Sequence, residues 1–402
     1  MQYSITSALI ILLGLGFISG VAHAKKQNKE SVTTIDCDNS TPGNTITAAL
    51  KGASPGVTLT IEFTGTCREN VTILSDDVVL QGVGPAISRI EGVPEVDVDD
   101  SPVTILGAER VVIDNVNVSN GETAGIAVTT GSVTVTNSVL ENNLQGIFVG
   151  MGSRARIDSN VIQGNTFNGI DVAYGGFAEI INNTVQNNDR NGAIVRDGAS
   201  AWIGQDVLSN AGANIISNNQ QNGILVFAGG SARISNNTVT SNNASTLGAG
   251  GILISEATAR LTGNNTITGN TESGILVIQG VLRTFTNFAG GETISGNTID
   301  GVIAINASSL EIQNATIENN GRDGIILTDN STLRLGNSII QSNGANAALP
   351  FRGRGLLLRR DSGARSLGGN TVLGAAGASD VQCLDTESSQ EGFVGSISCT
   401  GF

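Results

Sequence analysis

Four side chains near the middle of the 402-residue chain, Asp171, Tyr174, Arg196 and Asp197, are of types that can move a proton. A Tyr or Arg base beside carboxylates can abstract the proton on the carbon next to a uronate carboxylate, the opening step of a β-elimination. Asp189 and Arg190 stand in the intervening turn. A second group, Arg352, Arg354, Arg359 and Arg360, with Arg365 just beyond, concentrates cations in a chain whose formal net charge is −14. Guanidinium forks suit carboxylate or sulfate recognition, so this group is a candidate binding site. Both groups have a plainer use as solvated ion pairs on turns, which contribute little energy.

Much other chemistry is excluded. Leu9 to Val21 is an apolar run, and Ala22-His23-Ala24 has the small-x-small form that precedes signal-peptide cleavage. Residues 1–24 therefore read as an export signal, and the protein is expected to be secreted, extracellular or periplasmic. No later segment approaches membrane-spanning length. His23 is the only histidine, so the mature chain has no imidazole base and no histidine-ligated metal. The four cysteines sit at the extremes, Cys37 and Cys67 near the start and Cys383 and Cys399 near the end. In an exported chain they read as disulfides; three connectivities are available, and the local pairing is the expected one. The acidic balance argues against a nucleic-acid partner.

The elements that would position these groups are repeats. A unit of glycine, aliphatic, variable, aliphatic recurs as GIAV from Gly125, GIFV from Gly146, GIDV from Gly169 and GAIV from Gly192, and on to GLLL from Gly355. The base period is about 23 residues, with longer coils carrying insertions, as in a solenoid. A second strand pattern such as ARIDSNVIQGN lies in each repeat, with Asn-Gly-Asp clusters at the turns. Four residues before the glycine stand Asn142, Asn165, Asn188, Asn219, Asn270, Asn297 and Asn320, and nine before it Asn137, Asn160, Asn183, Asn214 and Asn265. One residue type at one register puts amide above amide, an internal ladder that also satisfies turn backbone.

Alternation puts the first and third residues after the glycine inward and the second outward. That outer row is mainly aliphatic, with Leu225, Leu253, Leu276 and Ile303 in sequence, and Asp171 interrupts it. Such a stripe is either covered by the chain's own loops or meets a partner, including a second copy. Solenoid ends need caps. Residues 25–67 form the N-terminal cap and first coil, with a short helix over Thr45 to Lys51. Residues 68–379 form the coils, and residues 380–402 the C-terminal cap.

The GI-x-V and N-x-I units resemble the right-handed parallel β-helix repeat of the pectate-lyase-like superfold, and TIDCDNSTPGNTITAAL followed by GTCRENVTI resembles the opening of bacterial exported members. The resemblance implies an all-β, single-stranded right-handed parallel β-helix of about 10–12 coils, but not one activity, since that fold hosts lyases, hydrolases, epimerases, esterases and adhesins. The polygalacturonase series NTD…DD…GHG…RIK is absent apart from Asp99-Asp100, the arginines near residue 355 lack the RxPxxR spacing of pectate lyases, and no DPHD-type epimerase motif occurs. Two functions fit. One is a secreted β-helix that binds carbohydrate or a surface partner without catalysis, which the failed motifs favour. The other is an extracellular polysaccharide lyase or hydrolase. No cofactor is expected, apart from calcium if the substrate is a polyuronate cleaved by a lyase.

Overall fold

The computed structural model describes residues 29–399 apart from short internal segments at 40–44, 85–87, 95–100, 207, 209, 244–249, 286–290, 347, 349–352, 376–377, 385–387 and 396. The residues assigned to the export signal, and Arg352, Asp99 and Asp100, lie outside the described residues. Each coil carries three short strands, as in Ile147–Val149, Arg154–Asp158 and Val161–Gln163. Each strand pairs in parallel with its counterpart in the next coil, so the chain forms three rows. The first two rows are joined where one strand turns from one into the other, as in Ile126–Thr136, and the third row contains thirteen strands. The fold is an all-β right-handed parallel β-helix, about 60 Å long at about 4.8 Å per coil. Its coils outnumber the ten repeat glycines because those at each end, such as the one containing Val78–Gly82, carry no GIxV unit.

The core follows from alternation. Row one buries its first and third aliphatics completely, for example Ile147 and Val149, then Ile170 and Val172. Row two buries an alanine and an isoleucine in turn, Ala155 and Ile157 above Ala178 and Ile180. Row three contributes one buried aliphatic per coil, including Leu140, Ile162, Val185 and Ile216. Like stacks on like, and the β-branched side chains suit the pleated surface. The repeat glycine is a close-packing residue. A Cβ on Gly169 would come within 2.7 Å of both the Gly192 carbonyl oxygen and the Val185 side chain, and 2.9 Å from the Asn188 amide.

Asparagine ladders run down both sides of row three. In the first, the side-chain amide of each asparagine donates to the Oδ1 of the next at 2.9 to 3.2 Å, from Asn143 through Asn165, Asn188, Asn219, Asn242, Asn270, Asn297 and Asn320 to Asn343. The backbone N–H of each donates to that same oxygen, and the amide also reaches the carbonyl of the row-three strand one coil back, as Asn165 does at Leu140. Asn142 is therefore not a rung: it takes a left-handed turn conformation at φ 57° and its neighbour Asn143 enters the ladder. The same displacement moves Asn137 out and Ser138 in, where Ser138 N donates to Asn160. The coil ending at Gly146 has one residue fewer between ladder and glycine, so a register counted from the glycine slips there. Counted from the buried row-three aliphatic it does not slip. Asn143, Asn165 and Asn188 each stand three residues after Leu140, Ile162 and Val185.

The second ladder runs from Asn160 through Asn183, Asn214, Asn237 and Asn265 to Glu292, whose carboxylate accepts from both the backbone and the side chain of Asn265. Burial pushes the Glu292 carboxyl up to about 8, against the pull of those two hydrogen bonds.

The ends are closed as the cysteines require. Disulfides join Cys37 to Cys67 and Cys383 to Cys399. The capping helix, α1 (Ile46–Leu50), starts at Thr45, whose hydroxyl accepts from Ala48 N. The Glu69 carboxylate accepts from Ile46 N and Thr47 N, two of the donors a helix start leaves unpaired.

Asn188→Ala strands the Ile162 carbonyl and the Asn165 donors in the interior and is expected to cost on the order of 2–5 kcal/mol. Asn142→Ala loses only the left-handed preference, about 1 kcal/mol. Denaturant midpoints followed by circular dichroism compare the two directly. Because the folded state holds the Glu292 proton up to about pH 8 while the usual glutamate value is 4.5, stability from this group is full below pH 4.5 and is lost as pH rises through 8. Glu292→Gln keeps the acceptor for Asn265, and melting curves should show it stabilising at pH 8 and neutral at pH 4.

Candidate functional site

Row-one pairing sets Phe148, Asp171 and Ile194 in line on successive coils, facing outward. Asp171 is nevertheless only 2% exposed, because Arg196 from the next coil lies over it. Arg196 Nε donates to Asp171 Oδ1 at 3.1 Å and Nη2 to Oδ2 at 3.2 Å, a forked pair. Arg196 Nη1 also donates to Asp197 and, at 3.5 Å, to the Tyr174 hydroxyl.

The turn after row one places the phenol. Gly176 N donates to the Ala173 carbonyl, and the two central residues, Tyr174 and Gly175, have φ of 51° and 73°. That is a type I′ turn, and the same turn one coil on puts Asp197 and Gly198 in the same conformation. Stacked turns thus bring Tyr174 and Asp197 to the two sides of one guanidinium. The Arg196 carbon lies 5.2 Å from the Tyr174 ring centre, and Phe148 meets that ring edge-on at 6.4 Å. Tyr174 is 53% exposed, so substrate can reach it.

Burial pushes the Asp171 carboxyl above the usual carboxylate range, and the Arg196 hydrogen bonds and charge recover only part of that shift. Burial alone would lower Arg196, but its hydrogen bonds to Asp171 and Tyr174 raise it, so the guanidinium stays charged. The arrangement can receive an anionic group and hold a hydroxyl beside it. Asp189 and Arg190 point elsewhere: Asp189 is exposed on its turn, and Arg190 lies over the Phe167 ring at 3.5 Å.

The arginines expected near residue 355 do not form one surface. Arg354 is internal: it forks onto Asp323 at 3.0 and 2.9 Å and donates to Gln382 at 3.1 Å. Arg360 pairs with Asp329 on an exposed turn, and Arg365 with Glu391 across neighbouring row-two strands. Arg359 lines a cavity of about 520 Å³, with Arg322, Ile326, Leu357 and Leu384 among its other walls.

Beneath that cavity is a cluster that the reading of the sequence missed. The residue just before the repeat glycine forms a third ladder, Asn168, Asn191 and Asn222, in which each backbone N–H donates to the Oδ1 of the coil before. Further along the same position is Asp300, Asp323 and Arg354, with the same backbone bonds. Arg322 forks onto Asp300, which is fully buried and whose carboxyl burial holds above its usual range despite Arg322. The signal was present in the position before the glycines at 169, 192, 223, 301, 324 and 355. Among the described residues no group of three or more His, Cys, Asp or Glu side chains could hold a metal ion.

The chain matches the family model described as right handed beta helix region over residues 57–184, 172–299 and 245–382. Among solved structures it resembles a double mutant of the periplasmic alginate epimerase AlgG, at 13% identity and TM-score 0.56 over 76% of this chain and 83% of that one. It also aligns with the Agl-KA catalytic domain, at 16% identity and TM-score 0.49 over 89% of this chain and 68% of that one. A third is the A-module of the Azotobacter vinelandii mannuronan C-5 epimerase AlgE6, at 15% identity and TM-score 0.40 over 91% and 96%. At these identities the likeness is one of fold. No curated protein matches the sequence.

Arg354→Ala would leave Asp323 buried without its forked partner and is expected to cost about 3–5 kcal/mol. Arg360→Ala, at an exposed pair, should cost less than about 1 kcal/mol. Denaturation of both variants, with hydrogen exchange at the C-terminal coils, distinguishes the internal arginine from the surface one.

Proposed function

The chain belongs to the right-handed β-helix region family, whose coils display side chains in fixed rows, and from that premise we propose that it is an exported protein acting on an acidic polysaccharide at the Asp171–Tyr174–Arg196 island. The observation that carries this reading is the single guanidinium, Arg196, held by two carboxylates against an exposed phenol. A uronate carboxylate entering beside Arg196 exchanges with Asp197 as its partner, and its charge is neutralised. The proton on the adjacent carbon then becomes acidic enough for the Tyr174 oxygen, acting as its phenolate beside Arg196, to remove, with Arg196 stabilising the enolate that forms. Expulsion of the glycosidic oxygen from the β-carbon, with return to it of the proton that Tyr174 took, gives an unsaturated sugar and a new chain end. Delivery of a proton from solvent to the opposite face of the enolate, in place of that expulsion, gives the epimer instead. Asp171 positions Arg196 and does not touch the sugar.

The alginate epimerase that shares this fold acts, by its name, on an acidic polysaccharide, which supports the substrate class. Two disulfides at the caps support export, and no helix among the described residues is long and apolar enough to cross a membrane.

A second reading, binding of a partner protein or a second copy without catalysis, is favoured by one feature. Leu225, Leu253, Leu276 and Ile303 stack in register on the outer face of row one and stay half-buried. Sedimentation that gives a clean monomer at high concentration counts against the second-copy form.

Residues 25–402 incubated with polyuronates in D₂O, with and without calcium, should yield unsaturated oligosaccharides or deuterium-labelled sugar by mass spectrometry. Tyr174→Phe should abolish the product, and Arg196→Lys should lower the rate by about 10²-fold or more. Neither product nor label from any acidic polysaccharide would contradict the catalytic reading.

A further inference from the structure

Row two carries an unusual outward register. Strand pairing places Arg156, Glu179, Trp202, Arg233, Arg260, Arg283, Glu311, Arg334 and Arg365 in one line along the rod. Toward both ends the cations have acids beside them in the same line. Arg156 pairs with Glu179 at 3.0 Å, Arg334 with Glu311 at 3.6 Å and Arg365 with Glu391 at 3.5 Å. In the middle, three arginines follow one another with no acid between them, at the spacing of about 4.8 Å between strands.

Like charges directly opposed on neighbouring strands repel, and an acidic chain of net charge −14 had carboxylates to place there. Arg233 and Arg283 form no ion pair with a described carboxylate. Arg233 instead lies 5.5 Å from the Trp202 ring centre. With the Gln205 amide turned so that its oxygen faces the guanidinium, Gln205 accepts from Arg233 Nε at 2.7 Å. Partial burial and the neighbouring Arg260 charge both push Arg233 below the usual arginine range.

The aromatic side chains lie beside this stack. Trp202, the only tryptophan in the chain, faces outward and meets Phe177 edge-on at 6.0 Å, and Arg154 lies over Phe177 at 5.3 Å. The parallel outward register next to it holds small hydroxyl residues, Ser200, Ser231 and Thr258, which leave the arginines open from that side.

We propose that the row-two face from Trp202 through Arg233, Arg260 and Arg283 binds an acidic polysaccharide lying along the rod axis. One coil advances by about one sugar residue of an extended chain, so successive carboxylates or sulfates meet successive guanidinium groups. The flat apolar face of a sugar stacks on Trp202, and the serine and threonine hydroxyls reach its ring hydroxyls. The strip occupies a different row from the Asp171 island and binds whether or not that island reacts.

The single tryptophan makes binding directly visible. Residues 25–402 are titrated with oligogalacturonate, oligoalginate, a sulfated dextran fragment, neutral dextran and oligo-dT, following Trp202 fluorescence and heat. The acidic oligosaccharides should change the emission and bind, more weakly as salt is raised, and neutral dextran should not. Uronate against sulfate identifies the anion. The double variant Arg233→Gln/Arg283→Gln should lower affinity at least tenfold with an unchanged melting curve, and Arg283→Gln alone, at an exposed position, serves if the double variant fails to fold. Tyr174→Phe should leave affinity unchanged, which separates this strip from the catalytic reading. Failure of every acidic oligosaccharide to bind, equal binding of the arginine variant, or tighter binding of oligo-dT would overturn the proposal.

Discussion

Everything in this rod depends on satisfying the polar backbone where each coil turns, deep between its neighbours. A turn buried on both sides has N–H and C=O groups that water cannot reach, and each left unpaired is costly. The asparagine ladders solve this by repetition. One amide supplies two donors and an acceptor that takes two bonds, which matches what a stacked turn lacks. The ladder also fixes register, because a coil that slipped by one residue would present no amide to its neighbours and would turn its aliphatics outward.

With register fixed, placement along the rod becomes a matter of counting. Residues a coil apart in sequence become neighbours at strand spacing. That is how Asp171 acquires Arg196, how Tyr174 and Asp197 come to flank the same guanidinium, and how Arg233, Arg260 and Arg283 form a line. The same logic lets one ladder change chemistry along its length. At the position before the repeat glycine, asparagines in the middle coils give way to Asp300, Asp323 and Arg354, and a neutral hydrogen-bond chain becomes an internal ion-pair chain.

The sequence displays the architecture well because period, alternation and turn residues all point to one fold. The disulfide pairs, the capping helix and the meeting of Asp171 with Arg196 were legible for that reason. What was missed came from the choice of origin. Counted from the glycine, the ladder appears to include Asn142 and Asn137 and to skip Asn242 and Asn237, since turns of different length intervene. Counted from the buried row-three residue it is continuous. The arginines near residue 355 look like one patch in sequence, yet coil geometry sends Arg354 inward and Arg360 to a turn. The row-two arginines are 23 to 27 residues apart and look like nothing until the strands are aligned.

The central claim is that the coil stack presents an acidic polysaccharide with two distinct faces, one that holds it and one that can act on it. A crystal structure of residues 25–402 of the Tyr174→Phe variant with an acidic oligosaccharide tests it most directly. Sugars should run parallel to the rod axis, with a ring on Trp202 and acidic groups at Arg233 and Arg283, and a uronate carboxylate should lie at Arg196. A ligand lying across the axis, or bound only in the cavity beside Arg359, would contradict it.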